Sequence, residues 1–286
     1  MCIATFKKQI IVTALIFFML INFSVTLATE PTTHAQTTDA LIITPKTVAE
    51  LEALFAQYNY TWPLQPNGTI PAIQITELPK DITNITSVKK KKALFIRSLL
   101  PIVLLENKRI RQQRNPAPIK PSAKSLTPIQ QLRLPTDVAQ IAYSKVDELP
   151  VSLVVAQAAI ESGWGTSRFA REGNSLFGQW TYIKGAGITP KQRTNGKTHQ
   201  VRAFASIRDS VRAYMQNIND HNAYRELRHS RAEMRGANQP LLAKKLANHL
   251  HRYSAKGTQY VSIVKKLLNS NSFNHLDTIS LNTLTN

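Results

Sequence analysis

The chain has 286 residues, enough for one or two domains at roughly 150 residues each. Lys and Arg number 36 against 17 Asp and Glu, a net charge of +19, and a lone cysteine excludes a disulfide framework or a cysteine zinc site. So basic a chain is drawn to polyanions: nucleic acid, an anionic membrane surface or an acidic wall polymer.

Lys7 and Lys8 precede an apolar run from Ile10 to Phe23 broken only by Thr13 and Asn22, and small residues follow around Ala28. That order predicts a secretory signal peptide over 1–28. An uncleaved N-terminal anchor is the other reading, since the uncharged stretch is about 20 residues long. Cys2 stands too early to follow the apolar run, so a lipobox is excluded. Export to the periplasm or cell envelope argues against nucleic acid as the partner.

Residues 29–128 read as a linker followed by a basic helical segment. Apolar residues at 48, 51, 54, 55 and 58 predict a short helix, and Pro63, Pro66, Gly68, Pro71 and Pro79 exclude a long one after it. Helical spacing returns over Val88–Gln113, with Leu94, Phe95, Leu99, Leu100, Val103, Leu104 and Ile110 as its apolar positions. Pro101 predicts a kink or break there. Residues 89–124 carry 11 positive side chains and 1 negative. The run Lys89–Lys92 reads as a solvated helix end or as a contact to anionic membrane or envelope polymer. Pro116, Pro118, Pro121 and Pro128 mark a hinge.

Residues 129–272 read as the compact domain, with 273–286 as a tail. Helices are predicted over 136–147, 150–162, 206–221, 239–252 and 257–269. Between Gly163 and Gly196 lie seven of the ten glycines and two of the three tryptophans. Glycine-rich loops on a rigid scaffold commonly carry function.

Glu161 is the residue with chemistry to offer. Val154, Ala158 and Glu161 follow the i, i+4, i+7 spacing, so the acid stands on the apolar stripe of its helix, one turn from its end. Desolvation and the negative helix terminus both raise a carboxyl pKa, as a general acid requires. The plain alternative is a carboxylate satisfied by Arg168 or Arg171, or one facing solvent. Trp164 and Trp180 are sugar platforms or ordinary core residues. His221, His229, His249 and His251 form no ligand set, Ser162 has no assignable base, and neither metal nor cofactor is expected.

The stretch Ala158-Ala159-Ile160-Glu161-Ser162-Gly163-Trp164-Gly165, followed by Asn174-Ser175-Leu176-Phe177-Gly178, resembles the glucosaminidase family. That family includes flagellar peptidoglycan hydrolases and staphylococcal autolysins. Arg202–Ser206, Ser210 and Tyr214 resemble its next segment, and Tyr253-Ser254 with Tyr260 its tyrosine motif. The likeness covers about residues 135–270. Lys90–Asn107, with Phe95, Leu99-Leu100-Pro101 and Asn107, resembles the segment upstream of this domain in Bax-like bacterial proteins.

The resemblance implies a mainly α, lysozyme-like fold with a small mobile β-hairpin. It implies hydrolysis of the β-1,4 bond after N-acetylglucosamine in peptidoglycan, with Glu161 as the acid and Tyr253 near the reacting sugar. Trp164, Asn174, Phe177, Trp180 and Tyr214 become the expected substrate contacts. One departure stands out. Several members carry a second glutamate before an Asn-Gly turn, whereas here Lys191-Gln192-Arg193-Thr194 precedes Asn195-Gly196. Gln192 occupies that place by spacing. Glycosidases normally need two carboxylates. Glu172 or Asp209 could supply the second, the substrate's acetamido group could replace it with Gln192 or Tyr253 orienting it, or catalysis is weak. A lytic transglycosylase, needing one acid, and a non-catalytic wall-binding module are the competing functions.

Overall fold

The computed structural model describes residues 40–114, 145–191, 196, 198–270, 273 and 275–282. In chain order these form β1 (Leu41–Ile43), α1 (Val48–Gln57), β2 (Thr69–Pro71), β3 (Ile73–Ile75), a 3-10 turn at Lys80–Asn84, and α2 (Val88–Arg114). There follow α3 (Val151–Ser162), α4 (Arg168–Gly173), β4 (Trp180–Thr181), β5 (Gly187–Ile188), β6 (Gln200–Arg202) and α5 (Ile207–Asp220). The described residues end with α6 (Arg225–Gly236), α7 (Ala243–Ala247), α8 (Thr258–Leu268) and β7 (Ser280–Asn282). The expected mainly α architecture is what forms. Strands pair in parallel as β1 with β3 and β2 with β7, and antiparallel in the order β4-β6-β5. Pairing Ile70 with Leu281 returns the C-terminal strand to the beginning of the fold.

Helix α3 is buried from Val151 to Ala159 without a break. A helix apolar on all sides has no solvent face, so neighbours must enclose it. α2 lies along it, α8 and α7 pack on it, and the Leu276–Thr278 turn meets it. The expected stripe through Val154 and Ala158 is therefore only part of its buried surface. Asp277 satisfies the helix start, accepting from the Ser152 amide at 2.8 Å and its hydroxyl at 2.6 Å. Asn107 of α2 holds Leu149, two residues before the helix: Nδ2 donates to the Leu149 carbonyl at 2.8 Å and Oδ1 accepts from the Leu149 amide at 3.2 Å.

Pro101 does not break α2, which runs continuously through it. Proline removes one helix hydrogen bond. Here Leu99, Leu100, Ile102 and Val103 are all buried, and packing against α3 and α5 keeps the helix whole. Glu106 is fully buried on the same helix. It accepts from Arg109 at 2.7 Å, from Arg212 at 2.9 Å and from Arg208, whose Nη1 also donates to Gln74 at 2.6 Å. The basic segment is thus partly turned inward. Arg111 pairs with Glu148 at 3.0 Å, Arg114 with Asp147 at 2.8 Å and Lys90 with Glu52 at 3.0 Å.

Two helical expectations need correction. α6 was not foreseen, because its buried face includes Arg228 and Arg231 beside Leu227 and Met234. Arg231 donates to the carbonyls of Asp147 and Glu148, both at 3.1 Å, so a sequence that reads as charged surface is core. The helix expected over 239–252 shrinks to Ala243–Ala247, which starts after Pro240 without a side-chain cap. Of the helix expected over 136–147, residues 136–144 lie outside the described residues, and 145–147 are not helical. The signal or anchor over 1–28 also lies outside them. No helix among the described residues is long and apolar enough to cross a membrane.

Asn107→Ala leaves a buried amide and carbonyl of Leu149 unpaired, a loss of about 2–4 kcal/mol that denaturant melts would register. Burial alone would raise the Glu106 pKa, but its bonds to Arg212, Arg208 and Arg109 win and hold it at about 2. Its contribution to stability is therefore complete above the unfolded glutamate value of about 4.3 and disappears as pH falls toward 2. Glu106→Gln should flatten stability across that window.

Candidate active site

α3 ends in a turn of three left-handed residues: Gly163 at φ 59°, Trp164 at 60° and Gly165 at 79°. Glycine adopts that region freely, and a Cβ on Gly165 would stand 2.4 Å from Leu78. Trp164 takes it at a cost, and its ring is gripped edge-on by Phe95 and Phe273, with the Lys92 ammonium 4.9 Å from the ring centre. Ser162 is buried and spent on this turn. Its hydroxyl donates to the Ala158 carbonyl at 2.6 Å and accepts from the Gly165 amide at 2.9 Å.

Glu161 leaves the helix just before that turn, partly buried. Burial raises its pKa, against the opposing pull of a hydrogen bond from Tyr260 and the charge of Lys256. Tyr260 also accepts from Gln157 Nε2 at 3.1 Å, while Gln157 Oε1 accepts from the Tyr214 hydroxyl at 2.5 Å. Tyr253 stacks on Tyr260 at 5.3 Å and meets Tyr214 edge-on at 6.2 Å. Burial pushes the hydroxyls of Tyr214, Tyr253 and Tyr260 upward, and the Glu161 charge pushes the same way. They stay protonated. A carboxyl whose pKa is moved upward by burial, with protonated phenols beside it, is placed as a general acid would be.

The Asn174–Gly178 stretch joins this cluster through its backbone. Leu176 donates to the buried Ser210 hydroxyl at 3.1 Å, Phe177 stacks on Tyr214 at 4.0 Å, and the Phe177 carbonyl accepts from Tyr253 at 3.4 Å. Of the expected site residues, the structure therefore brings Glu161, Phe177, Tyr214 and Tyr253 into one network. Asn174 instead closes α4 at φ 52° and donates to the Phe204 carbonyl at 3.2 Å. Trp164 packs on Phe95 and Phe273. Trp180 stacks on His199 at 4.3 Å and remains 63% exposed, an open aromatic face on β4. Gln192 lies outside the described residues. No group of three His, Cys, Asp or Glu side chains that could hold a metal occurs among the described residues.

Glu172 and Asp209 have other partners. Glu172 pairs with Arg168 at 3.2 Å, while Asp209 accepts from Ser206 at 2.7 Å at the start of α5 and faces Arg212 at 3.7 Å.

A family model described as mannosyl-glycoprotein endo-beta-N-acetylglucosaminidase matches residues 136–273. Protein bax of Escherichia coli (strain K12) is 33% identical over 196 residues, 63% of this chain and 69% of that one. The chain belongs to the Bax-like glucosaminidase family. Exo-glucosaminidase LytG of Bacillus subtilis (strain 168) is 42% identical over 67 residues, only 23% of either chain. The catalytic domain of the autolysin Auto from Listeria monocytogenes aligns with 69% of this chain at 18% identity and a TM-score of 0.40.

In this family member the residues around Glu161 that sequence reasoning left out of the site are Gln157, Tyr260, Tyr224 and Lys256. Gln157 had a signal: it is an amide inside an apolar run, four residues before Glu161. The others come from distant parts of the chain.

Burying an ionisable carboxyl costs stability wherever its folded pKa exceeds its unfolded one. The cost is absent below the unfolded value and complete above the raised one. Glu161→Gln should therefore melt higher than the parent protein near neutral pH, and the gain should vanish in acid. Scanning calorimetry at both pH values measures this.

Proposed function

We propose that the protein is an exported peptidoglycan hydrolase that cleaves the β-1,4 bond after N-acetylglucosamine. The observation that carries this is Glu161 at the buried end of α3, with its pKa raised by burial and neutral tyrosines around it. Glu161 gives its proton to the oxygen of the departing sugar as the bond from that oxygen to the anomeric carbon breaks. The acetamido oxygen of the same N-acetylglucosamine closes on that carbon, a recognised alternative to a second carboxylate. Water then attacks the anomeric carbon, its proton returns to Glu161, and the bond to the acetamido oxygen opens. The engagement of Glu172 and Asp209 with their own neighbours supports this route.

The same observation also suits a lytic transglycosylase, which needs only one acid. Trp180 offers a face for a sugar ring, as aromatic residues in glycan sites do. Export is supported by Lys7, Lys8 and the apolar run after them. Contact with an anionic membrane or envelope polymer remains a role for the basic positions of 89–124 not spent on internal pairs.

Mass spectrometry of digested peptidoglycan tests the reading. A reducing N-acetylglucosamine end is expected, a 1,6-anhydromuramic end would indicate the transglycosylase, and no cleavage would leave a binding module. Glu161→Gln should lose at least about a hundredfold of turnover while staying folded. De-N-acetylated glycan should bind yet react poorly, and its rapid hydrolysis would defeat the acetamido step.

A further inference from the structure

The chain of hydrogen bonds ending at Glu161 has a direction. An amide side chain has one acceptor and one NH2 donor group, and a phenol has one hydrogen to give. The Tyr214 hydroxyl spends its hydrogen on Gln157 Oε1, which leaves Nε2 to face the Tyr260 oxygen. With that oxygen accepting from Nε2, the Tyr260 hydrogen points away from Gln157, and Glu161 is the carboxylate within its reach. The opposite orientation of the amide would turn its carbonyl to Tyr260, take that hydrogen, and present Glu161 with a lone pair.

We propose that Gln157 is a positioning residue for Glu161: its buried amide, oriented by Tyr214, aims the Tyr260 hydroxyl at the acid, so that a donor waits where negative charge develops as the proton leaves. The inference rests on the reading of Glu161 as the acid. Gln157 is fully buried one helical turn before Glu161. An amide enclosed in that way cannot exchange its partners for water, and a donor fixed in advance needs no reorganisation during the reaction. Other groups bear on the same carboxyl. Lys256 and the Tyr260 hydroxyl favour its charged form, and Tyr214, Tyr224 and Tyr253 all feel its charge. None of these others sets the direction of the Tyr260 hydrogen.

The test reads Glu161 itself, without substrate, through the pH titration of its 13C-labelled side-chain carboxyl in the full-length protein. Gln157→Met keeps the unbranched shape and removes the amide. Glu161 should then titrate higher by about half a unit to one unit, the scale of one hydrogen bond. The alkaline limb of turnover should move up equally, with kcat lowered about three- to tenfold and KM held. In a Tyr260→Phe background, Gln157→Met should shift the titration no further, since the amide acts through that hydroxyl. An unchanged titration in Gln157→Met overturns the proposal, and so does a shift that survives Tyr260→Phe. Should Gln157→Met not fold, Tyr214→Phe keeps the ring on Phe177 and frees the amide. It should raise the titration by a smaller amount, and no shift there counts against the proposal in the same way. Failure of the hydrolase reading would show separately, as wild-type protein that cuts no glycan.

Discussion

Enclosure of α3 governs the rest of the structure. Nine consecutive residues, Val151 to Ala159, are removed from water, so every backbone and side-chain polar group along them must find a partner inside the protein. Asp277 answers at the start, with Asn107 bracing Leu149 just before it, and Gln157 is the polar exception in the middle, bonded on both sides. The helix can meet a substrate only at its far end, where Glu161 emerges and the Gly163–Gly165 turn carries the chain away. The upstream segment is therefore part of the same architecture as the glucosaminidase residues. Without α2, one side of α3 would lie open.

Among the described residues, the buried Glu106 and the partly buried Glu161 have opposite surroundings. Glu106 faces three guanidinium groups and is held ionised down to about 2. Glu161 has one phenol and one more distant ammonium group, and burial prevails over both. The difference lies in what compensates the desolvation. A buried carboxylate ringed by arginines is a permanent charge that ties α2 to α5, and removing one partner would leave charge without compensation. A part-buried carboxyl with weak compensation has its pKa moved upward instead. The same residue type serves as a rivet in one place and, in the function proposed above, as an acid in the other.

That contrast explains what could be read from the chain alone. Periodicity located α1, α2, α3, α5 and α8, because their burial is largely apolar and repeats at helical spacing. Glu161 was legible as an acid at the end of an apolar run. α6 was hidden, because Arg228 and Arg231 enter the core on carbonyls supplied by residues 147, 148, 218 and 221, with the Asp147 carboxylate also facing Arg231 at 3.6 Å. Pairings across such distances leave no local pattern. The same holds for Tyr260, whose position beside Glu161 depends on α8 packing against α3, and for Asn174, whose side chain is occupied by the Phe204 carbonyl. Trp164, expected as a sugar platform or an ordinary core residue, has a left-handed backbone and two aromatic neighbours that brace the turn, which residue type alone does not reveal.

The tyrosines around Glu161 suit the acid role proposed for it, in which the carboxyl passes through both protonation states. An arginine at the place of Tyr260 would fix the carboxylate in its charged form, as Arg208 and Arg212 do for Glu106. An apolar residue there would leave the charge unsupported once the proton had gone. A buried phenol lies between these extremes. Its own pKa is raised by burial and by the Glu161 charge, so it does not ionise in competition with the acid. Its hydrogen can serve the carboxylate after transfer without adding a positive charge that would strip the proton beforehand. Tyr260 stacks on Tyr253 and Tyr253 packs against Tyr214, so the phenols support one another beside the carboxyl. The result is an environment compatible with both the neutral and the charged carboxyl, which is the electrostatic condition that the acid role proposed for Glu161 requires.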